Sequence, residues 1–272
     1  FYIILKYIGY ILFYIFGFFG ILYKLFPFIM YTEPKNIFKP KVLSHEKDIW
    51  WESQISLSKI NKIRKQLTYL KPTFNDFMVT ILVHSLSLYM TNLNINPPEY
   101  LYMGVPVNIR TTMIDDNILK SKTLGNKIGT ILIKAPLSKK LSFNERLQDI
   151  KNQFDFAKKI PEAQVSHYIG KLLSYFPDNI YNIIASGAFD KITFNISNNR
   201  CDNNARYINN IKMDNILPFP PSPKGVGLTF GISTYNDTVS ITINNDINIT
   251  EKNVSKNIAK IMMNVLRDLD CL

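Results

Sequence analysis

Cysteine occurs only at Cys201 and Cys271 in 272 residues, which excludes a disulfide framework and a cysteine-built zinc site. Histidine is nearly as scarce. His45, His84 and His167 lie outside any His-Glu-x-x-His, Cys/His or Gly-x-Ser-x-Gly setting, so no metal site or serine-hydrolase motif is expected. Glycine is limited to 11 residues. With 46% apolar and 13% aromatic residues, the composition is that of a folded protein with material for one large domain or two small ones. Acidic residues number 21 against 32 basic ones, a formal charge of +11. That balance attracts anions such as nucleic acid, lipid headgroups or a phosphorylated cofactor. The cations are mostly lysines spread along the chain, with no zinc-finger, RRM or KH signature, so nucleic acid is not an expected partner. The abundance of Asn, Ile and Lys also matches AT-biased codon usage, which raises charge without function.

What is present begins with a hydrophobic zone, residues 1–31. Between Lys6 and Lys24 lie 17 uncharged residues, at the lower limit for a bilayer span. Gly9, Gly17, Gly20 and the tyrosines argue against a simple span, because tyrosine favours membrane interfaces. A signal peptide is not indicated, since there is no initiating Met and no small-residue cleavage site. Three readings stay open: a membrane span, a helix lying in the interface, or a helix buried against protein. The chain starts at Phe1, which reads as a processed or partial product. Residues 32–48 carry Pro34, Pro40, Lys35, Lys39, Lys41 and Lys47 and read as an exposed basic linker suited to an anionic membrane surface.

The remainder, 49–272, holds the folded domain. Trp50–Ile55 reads as a strand, and Leu57–Leu70 as an amphipathic helix with Ile60, Ile63, Leu67 and Leu70 on one face. Pro72 then interrupts the chain, and Thr73 with Asp76 forms a capping box that opens a helix to about Met90. Its apolar residues surround it on most sides, which predicts the central buried helix. Tyr100–Ile109 reads as a strand in which Pro106 predicts an edge or a bulge. A polar loop at 111–122 and a strand at 125–135 follow. Ser142 and Glu145 make a second capping box for a helix to Lys159, burying Leu147, Ile150, Phe154 and Ala157. Two shorter helices are broken at Pro177. Strands are expected at 191–197 and 207–217, with a polar Ser197–Arg200 turn between them. A stiff crossing from Pro218 to Pro223 leads to a hairpin turning on Asn236-Asp237. Thr250 is the expected cap of a last amphipathic helix. This order is not a βα alternation, so the fold class is α+β, a mixed sheet with flanking helices.

Several strings now line up in sequence. They are Asn75-Asp76 at a helix mouth, Val105-Pro106-Val107-Asn108-Ile109-Arg110 at a strand end, Gly125-Asn126, Glu145-Arg146-Leu147 and Ser197-Asn198. Gly227-Leu228, Ser233-Thr234-Tyr235 and Asp246 complete the set. With them the chain, from about 33 to 269, resembles the C-terminal half of the wax ester synthase/diacylglycerol acyltransferase family, in the chloramphenicol-acetyltransferase-like superfamily. The sequence departs from the family pattern after Ser197-Asn198, where Asn199-Arg200-Cys201 replaces Val-Pro-Gly-Pro.

The resemblance implies a CoA-dependent O-acyltransferase half. The family's His-His-x-x-x-Asp-Gly motif supplies a general base to an alcohol that attacks the acyl-CoA thioester. That motif is absent here, so no catalytic residue is assigned and the base is expected upstream. Asn75 and Asp76 are then expected to brace the active site, with Arg110, Ser197 and Asn198 as candidates for the substrate or CoA channel. Acyl-CoA is the implied co-substrate, with no permanently bound cofactor, and a long-chain alcohol or diacylglycerol is the acceptor. The missing N-terminal half and a membrane, endoplasmic reticulum or plasma membrane, are the implied partners. The alternative is an inactive membrane-associated homologue that binds lipid or CoA.

Overall fold

The computed structural model describes residues 2–40, 42–44, 46–110, 125–249 and 251–271. His45, Thr250 and the polar loop expected at 111–122 therefore lie outside the described residues. The elements run α1 (Tyr2–Met30), β1 (Lys47–Ser56), α2 (Leu57–Gln66), α3 (Phe74–Asn92), β2 (Tyr100–Asn108), β3 (Ile128–Pro136) and α4 (Phe143–Lys159). They continue with α5 (Glu162–Leu173), α6 (Asp178–Phe189), β4 (Phe194–Arg200), β5 (Tyr207–Ile208), β6 (Ile211–Lys212), β7 (Leu228–Tyr235), β8 (Thr238–Asp246) and α7 (Val254–Asp270).

Six strands form one mixed sheet in the order β1-β8-β7-β4-β2-β3. The central pairs β4–β7 and β2–β4 are parallel, and the flanking pairs are antiparallel. On one face α3 sits in the main core, with Phe77, Met78, Ile81, Leu82 and Leu86 all fully buried. The capping boxes at Thr73 and Ser142 both form with their reciprocal hydrogen bonds. Pro106 takes its place where it has no ladder bond to forfeit. The β2–β4 register ends at Gly104, so beyond that point β2 is an edge on that side.

The strand expected across 207–217 is only a two-residue hairpin, β5–β6, with exposed side chains. Asn209 and Asn210, both at positive φ, turn the chain too soon for a longer strand. The helix α7 starts at Val254 behind Asn253, which adopts the left-handed conformation and makes no side-chain cap. The crossing at Pro218–Pro223 lies over β7. A Cβ on Gly231 would stand 2.3 Å from the Pro218 carbonyl oxygen, so only glycine admits that approach.

Described residues of the expected linker, 32–48, pack on the domain. Phe38 is fully buried and stacks near Tyr89, Glu33 pairs with Lys39 at 2.5 Å, and Ser44 is bound by Asp246. Asp246 is itself fully buried. It accepts hydrogen bonds from the Ser44 amide and hydroxyl, the Asn248 amide and Lys47 Nζ at 3.0–3.1 Å. Burial raises its pKa, but those donors outweigh burial and hold the carboxyl below the usual range.

Helix α1 packs through Gly17, Ile21, Lys24 and Phe28, one stripe at helical spacing. A Cβ on Gly17 would overlap Pro161, and one on Gly20 would overlap Ile160, so the glycines let the helix close on the α4–α5 junction. Among the described residues no helix is long and apolar enough to cross a membrane.

The outer edge of β3 is answered by side chains. Ser166 Oγ accepts from the Thr130 amide at 2.7 Å and Glu162 Oε1 from the Leu132 amide at 2.8 Å. Lys24 Nζ donates to the Leu132 carbonyl at 2.8 Å, and Gln153 bonds both backbone groups of Lys134. Those contacts satisfy the groups that make an edge strand prone to pairing.

Candidate functional site

The parallel strands β2, β4 and β7 run the same way, so Asn108, Arg200 and Tyr235 come out at one end of the sheet. In open sheets that end is where ligands gather. Helix α3 presents its N-terminus there, with the positive end of its dipole. Thr73 Oγ1 accepts from the Asp76 amide at 3.2 Å, and Asp76 Oδ2 accepts from the Thr73 amide at 2.8 Å. Asp76 is 1% exposed, and its other carboxylate oxygen has no hydrogen-bond partner among the described residues. One acceptor is thus buried at the helix mouth and open.

Asn75 and Asn198 meet. Asn198 Nδ2 donates to Asn75 Oδ1 at 3.3 Å across 123 positions of sequence, joining the helix mouth to β4. A cavity of about 360 Å³ opens beside this contact, lined by Leu57, Asn61, Phe74, Asn198, Arg200, Asn203 and Thr234. One cation among amides and a hydroxyl suits a polar or anionic ligand group. Ser197 and Asn198 do not form the expected turn. They lie inside β4, paired in parallel with Gly231 and Ile232, because β7 supplies a ladder that carries the polar residues on as strand to Arg200. Ser197 Oγ accepts from Asn199 Nδ2 at 3.4 Å and lies outside the cavity lining.

Arg110 stands apart from this cavity. Its amide and Nη1 bond Asn108 Oδ1 at 3.0 and 3.2 Å, and Nη2 donates to the Gly125 carbonyl at 2.5 Å. It clasps the two ends that flank 111–124. Arg200, Asn203, Thr234 and Asn61 were not anticipated as lining residues. The signal available was position: Arg200 follows Ser197-Asn198, and Thr234 sits in the Ser233–Tyr235 string.

The two described histidines have structural settings. His84 packs edge-on against Phe143 with centroids 5.6 Å apart. Burial, helped by the Arg146 charge, lowers its pKa to about 4, so it is neutral at pH 7. His167 Nδ1 bonds the Ile128 carbonyl at 3.0 Å, another answer to the β3 edge. Arg146 is itself buried, and burial brings its pKa to about 10. Its guanidinium donates to the carbonyls of Pro136, Ser138 and Leu141 and so ties the 136–141 loop to α4. Among the described residues no group of three or more His, Cys, Asp or Glu could hold a metal ion.

The family model for the WS/DGAT C-terminal domain matches residues 124–268, more than half of the chain. The chain belongs to that family. Ser197 and Asn198 fall inside the matched span of this WS/DGAT domain, and Asn75, Asp76 and Arg110 precede it. No curated protein matches the chain. Among solved structures, the wax ester synthase/diacylglycerol acyltransferase from Marinobacter aquaeolei VT8 is similar with a TM-score of 0.62 at 17% identity, covering 92% of this chain and 56% of that one. The nonribosomal peptide synthetase FmoA3 reaches a TM-score of 0.62 at 12% identity over 93% of this chain and 26% of its own. The epimerization domain from the third module of tyrocidine synthetase B gives 0.54 at 8% identity, with 92% and 56% covered. At these identities the likeness establishes a shared acyltransferase- and condensation-like fold. The WS/DGAT chain spans a little over half the length of the wax ester synthase, 56%.

Proposed function

We propose that this WS/DGAT domain is the C-terminal part of an acyl-CoA-dependent O-acyltransferase that esterifies a long-chain alcohol or diacylglycerol. The general base comes from a histidine motif outside these residues. The observation that carries the reading is the Asn198–Asn75 hydrogen bond beside the open Asp76 oxygen. Two family strings far apart in sequence meet at one cavity, at the strand ends. Asn75 and Asp76 act as positioning residues, fixing backbone where small displacements of reacting groups are costly. Asn198 and Arg200 form a channel wall toward acyl-CoA, which is a co-substrate and not a resident cofactor. Arg110, on the same side, holds the neighbouring loop ends.

A membrane surface, endoplasmic reticulum or plasma membrane, is the proposed location. Phe16, Phe19, Tyr23, Phe26 and Met30 form an outward apolar stripe on α1, all more than 60% exposed. The cation between them, Lys24, is turned inward onto Glu162 at 2.5 Å. That pattern favours a helix lying in the interface over an anchor that leaves charge outside.

The test is ester formation from palmitoyl-CoA with hexadecanol or dioleoylglycerol by the full-length gene product, wild type beside Asn75→Ala and Asn198→Ala. Both variants are expected to lose at least tenfold in kcat/KM with thermal stability retained. Wild-type activity in both would overturn their role. A second reading, an inactive lipid- or CoA-binding homologue, is favoured by the structural settings of His84 and His167. It takes over if the full-length product binds CoA without turnover.

A further inference from the structure

Helix α6 is 12 residues long, mostly apolar, and has no buried residue. A helix of that length is marginal in water by itself, and one with apolar residues around much of its surface belongs under cover. Only toward its end does it meet the core, where Phe189 packs on the cluster of Phe28, Tyr102, Ile192 and Val226. Tyr181 of α6 lines the same cavity as Gly170 and Ser174 of α5, so the two helices stand side by side. Nine large apolar side chains are exposed along the pair. Tyr168, Leu172 and Tyr175 lie before the break at Pro177, and Ile180, Ile183 and Ile184 after it. Tyr175 and Ile183 keep 77% and 73% of their surface open. At about 200 Å² for a whole large side chain, half-open side chains in this number present roughly 1,000 Å². One partner in a stable protein interface gives about 800 Å².

Charge selects the partner. No Lys or Arg occurs from Leu172 to Asp190, in a chain that has 32 of them. Helices that lie on lipid carry Lys and Arg along their polar face, which α6 does not. A strongly charged protein surface would find only Asp178 and Asp190 to meet. A neutral apolar surface of this area has the composition of an interface between identical chains. The pattern on α6 is also complementary to itself. Ile180, Ile183, Ile184 and Gly187 share one face at helical spacing. With two copies of α6 antiparallel about a twofold axis between Ile183 and Ile184, Ile180 of one copy stands opposite Gly187 of the other, and Ile183 opposite Ile184. A Cβ placed on Gly187 meets nothing within 4 Å among the described residues, which leaves room for the facing isoleucine. Each contact then occurs twice, as an isologous interface requires.

We propose that two copies of this chain associate through α5 and α6, with α6 packed antiparallel on its equivalent. The surface shares no residue with the Asn75–Asn198 cavity or with the outward stripe of α1, and it stands whether or not the chain transfers acyl groups.

The experiment is sedimentation velocity over a concentration series, on the purified chain and on the full-length gene product. The expected result is a dimer in both, dissociating at about 1 µM or below, as an interface of this size allows. Ile183→Asp puts a charge at the centre of the contact and is expected to weaken the dimer at least about a hundredfold. Gly187→Phe fits one copy alone but collides with Ile180 of the other, and is expected to weaken it at least tenfold. Both variants should keep the wild-type circular dichroism spectrum, since both positions are exposed. Phe19→Asp, on the outward stripe of α1, is expected to leave the dimer intact. Dioleoylphosphatidylcholine vesicles should bind wild type and Ile183→Asp alike. A monomer in either wild-type protein, a dimer that survives Ile183→Asp or Gly187→Phe, or a dimer lost in Phe19→Asp overturns the proposal. Vesicle binding lost in Ile183→Asp assigns the face to lipid and overturns it as well.

Discussion

Replacing Asp76 separates helix capping from anything further the residue does. The structure fixes the terms. Asp76→Ala removes a charge-assisted hydrogen bond from the Thr73 amide, 2.8 Å long, for which roughly 1.5–3 kcal/mol is typical. It also removes a negative charge from the first turn of α3, for which roughly 0.3–1 kcal/mol is typical. Against this, the variant no longer buries the second carboxylate oxygen without a partner, a cost of about 1–3 kcal/mol. The net loss should be about 1–2 kcal/mol. Asp76→Asn keeps one acceptor for Thr73 and should lose about 1 kcal/mol. Thr73→Ala breaks the reciprocal bond, and because both residues serve one box, the double variant should fall short of the sum by at least about 0.5 kcal/mol. Urea unfolding measures all four proteins, and a shift in midpoint at constant slope reports stability alone. A change below about 0.3 kcal/mol in Asp76→Ala, or strict additivity with Thr73→Ala, would refute the capping account. With stability known, an activity loss in the full-length Asp76→Asn protein larger than its unfolded fraction isolates the open oxygen.

Further expectations follow from groups away from the helix mouth. Asp246→Ala releases Ser44, Lys47 and Asn248 together and should cost about 3 kcal/mol, with faster protease cleavage in 40–47. Because the Asp246 pKa is held low in the fold, its contribution is complete above the unfolded value near 4 and vanishes as pH falls through the lower folded value; Asp246→Asn should flatten that acid limb in pH-dependent unfolding. His84 shows the same direction over a different window. Its folded value of about 4 lies under the unfolded 6.5, so stability declines by up to about 3 kcal/mol as pH drops from 6.5 to 4, and His84→Leu should remove that slope. Glu162→Ala leaves Lys24 unpaired and the Leu132 amide open, so light scattering should show concentration-dependent association through the β3 edge.

Local chemistry made much of this fold legible. The Thr73 and Ser142 boxes, the apolar surround of α3 and the Asn236-Asp237 turn are each specified within a few residues, and they appear where the sequence puts them. What escaped reading depended on distant partners. The Ser197–Arg200 stretch has turn composition, yet becomes strand because β7 lies beside it. Residues 32–46 have linker composition, yet Phe38 fills a core position and Asp246, some 200 residues away, collects Ser44. The site was half legible for the same reason. Asn75 and Asn198 were visible as family strings, but their contact, and the place of Arg200 and Thr234 in the same wall, arise from strand order. Arg110 has the charge expected of a phosphate contact, and its fork reaches Asn108 and Gly125, a pairing that sequence spacing alone does not reveal.

Polar bonding also limits where further protein could join this domain. A sheet that lacks a neighbour can gain one along an open edge. At β3 that route is closed by His167, Ser166, Glu162, Lys24 and Gln153, which occupy alternate backbone positions from Ile128 to Lys134. At the opposite edge β1 is broken by a bulge between Glu52 and Ile55, with Gln54 at positive φ, and a bulged strand presents a poor ladder to a newcomer. The β3 edge is therefore closed, and the β1 edge runs regularly only from Lys47 to Glu52. The helix mouth differs. Asp76 buries an unpaired acceptor, and Asn198, which bonds the neighbouring Asn75, lines a cavity with Phe74 and Arg200. Unpaired polar chemistry therefore gathers at this end of the sheet, on side chains, more than along the β3 edge.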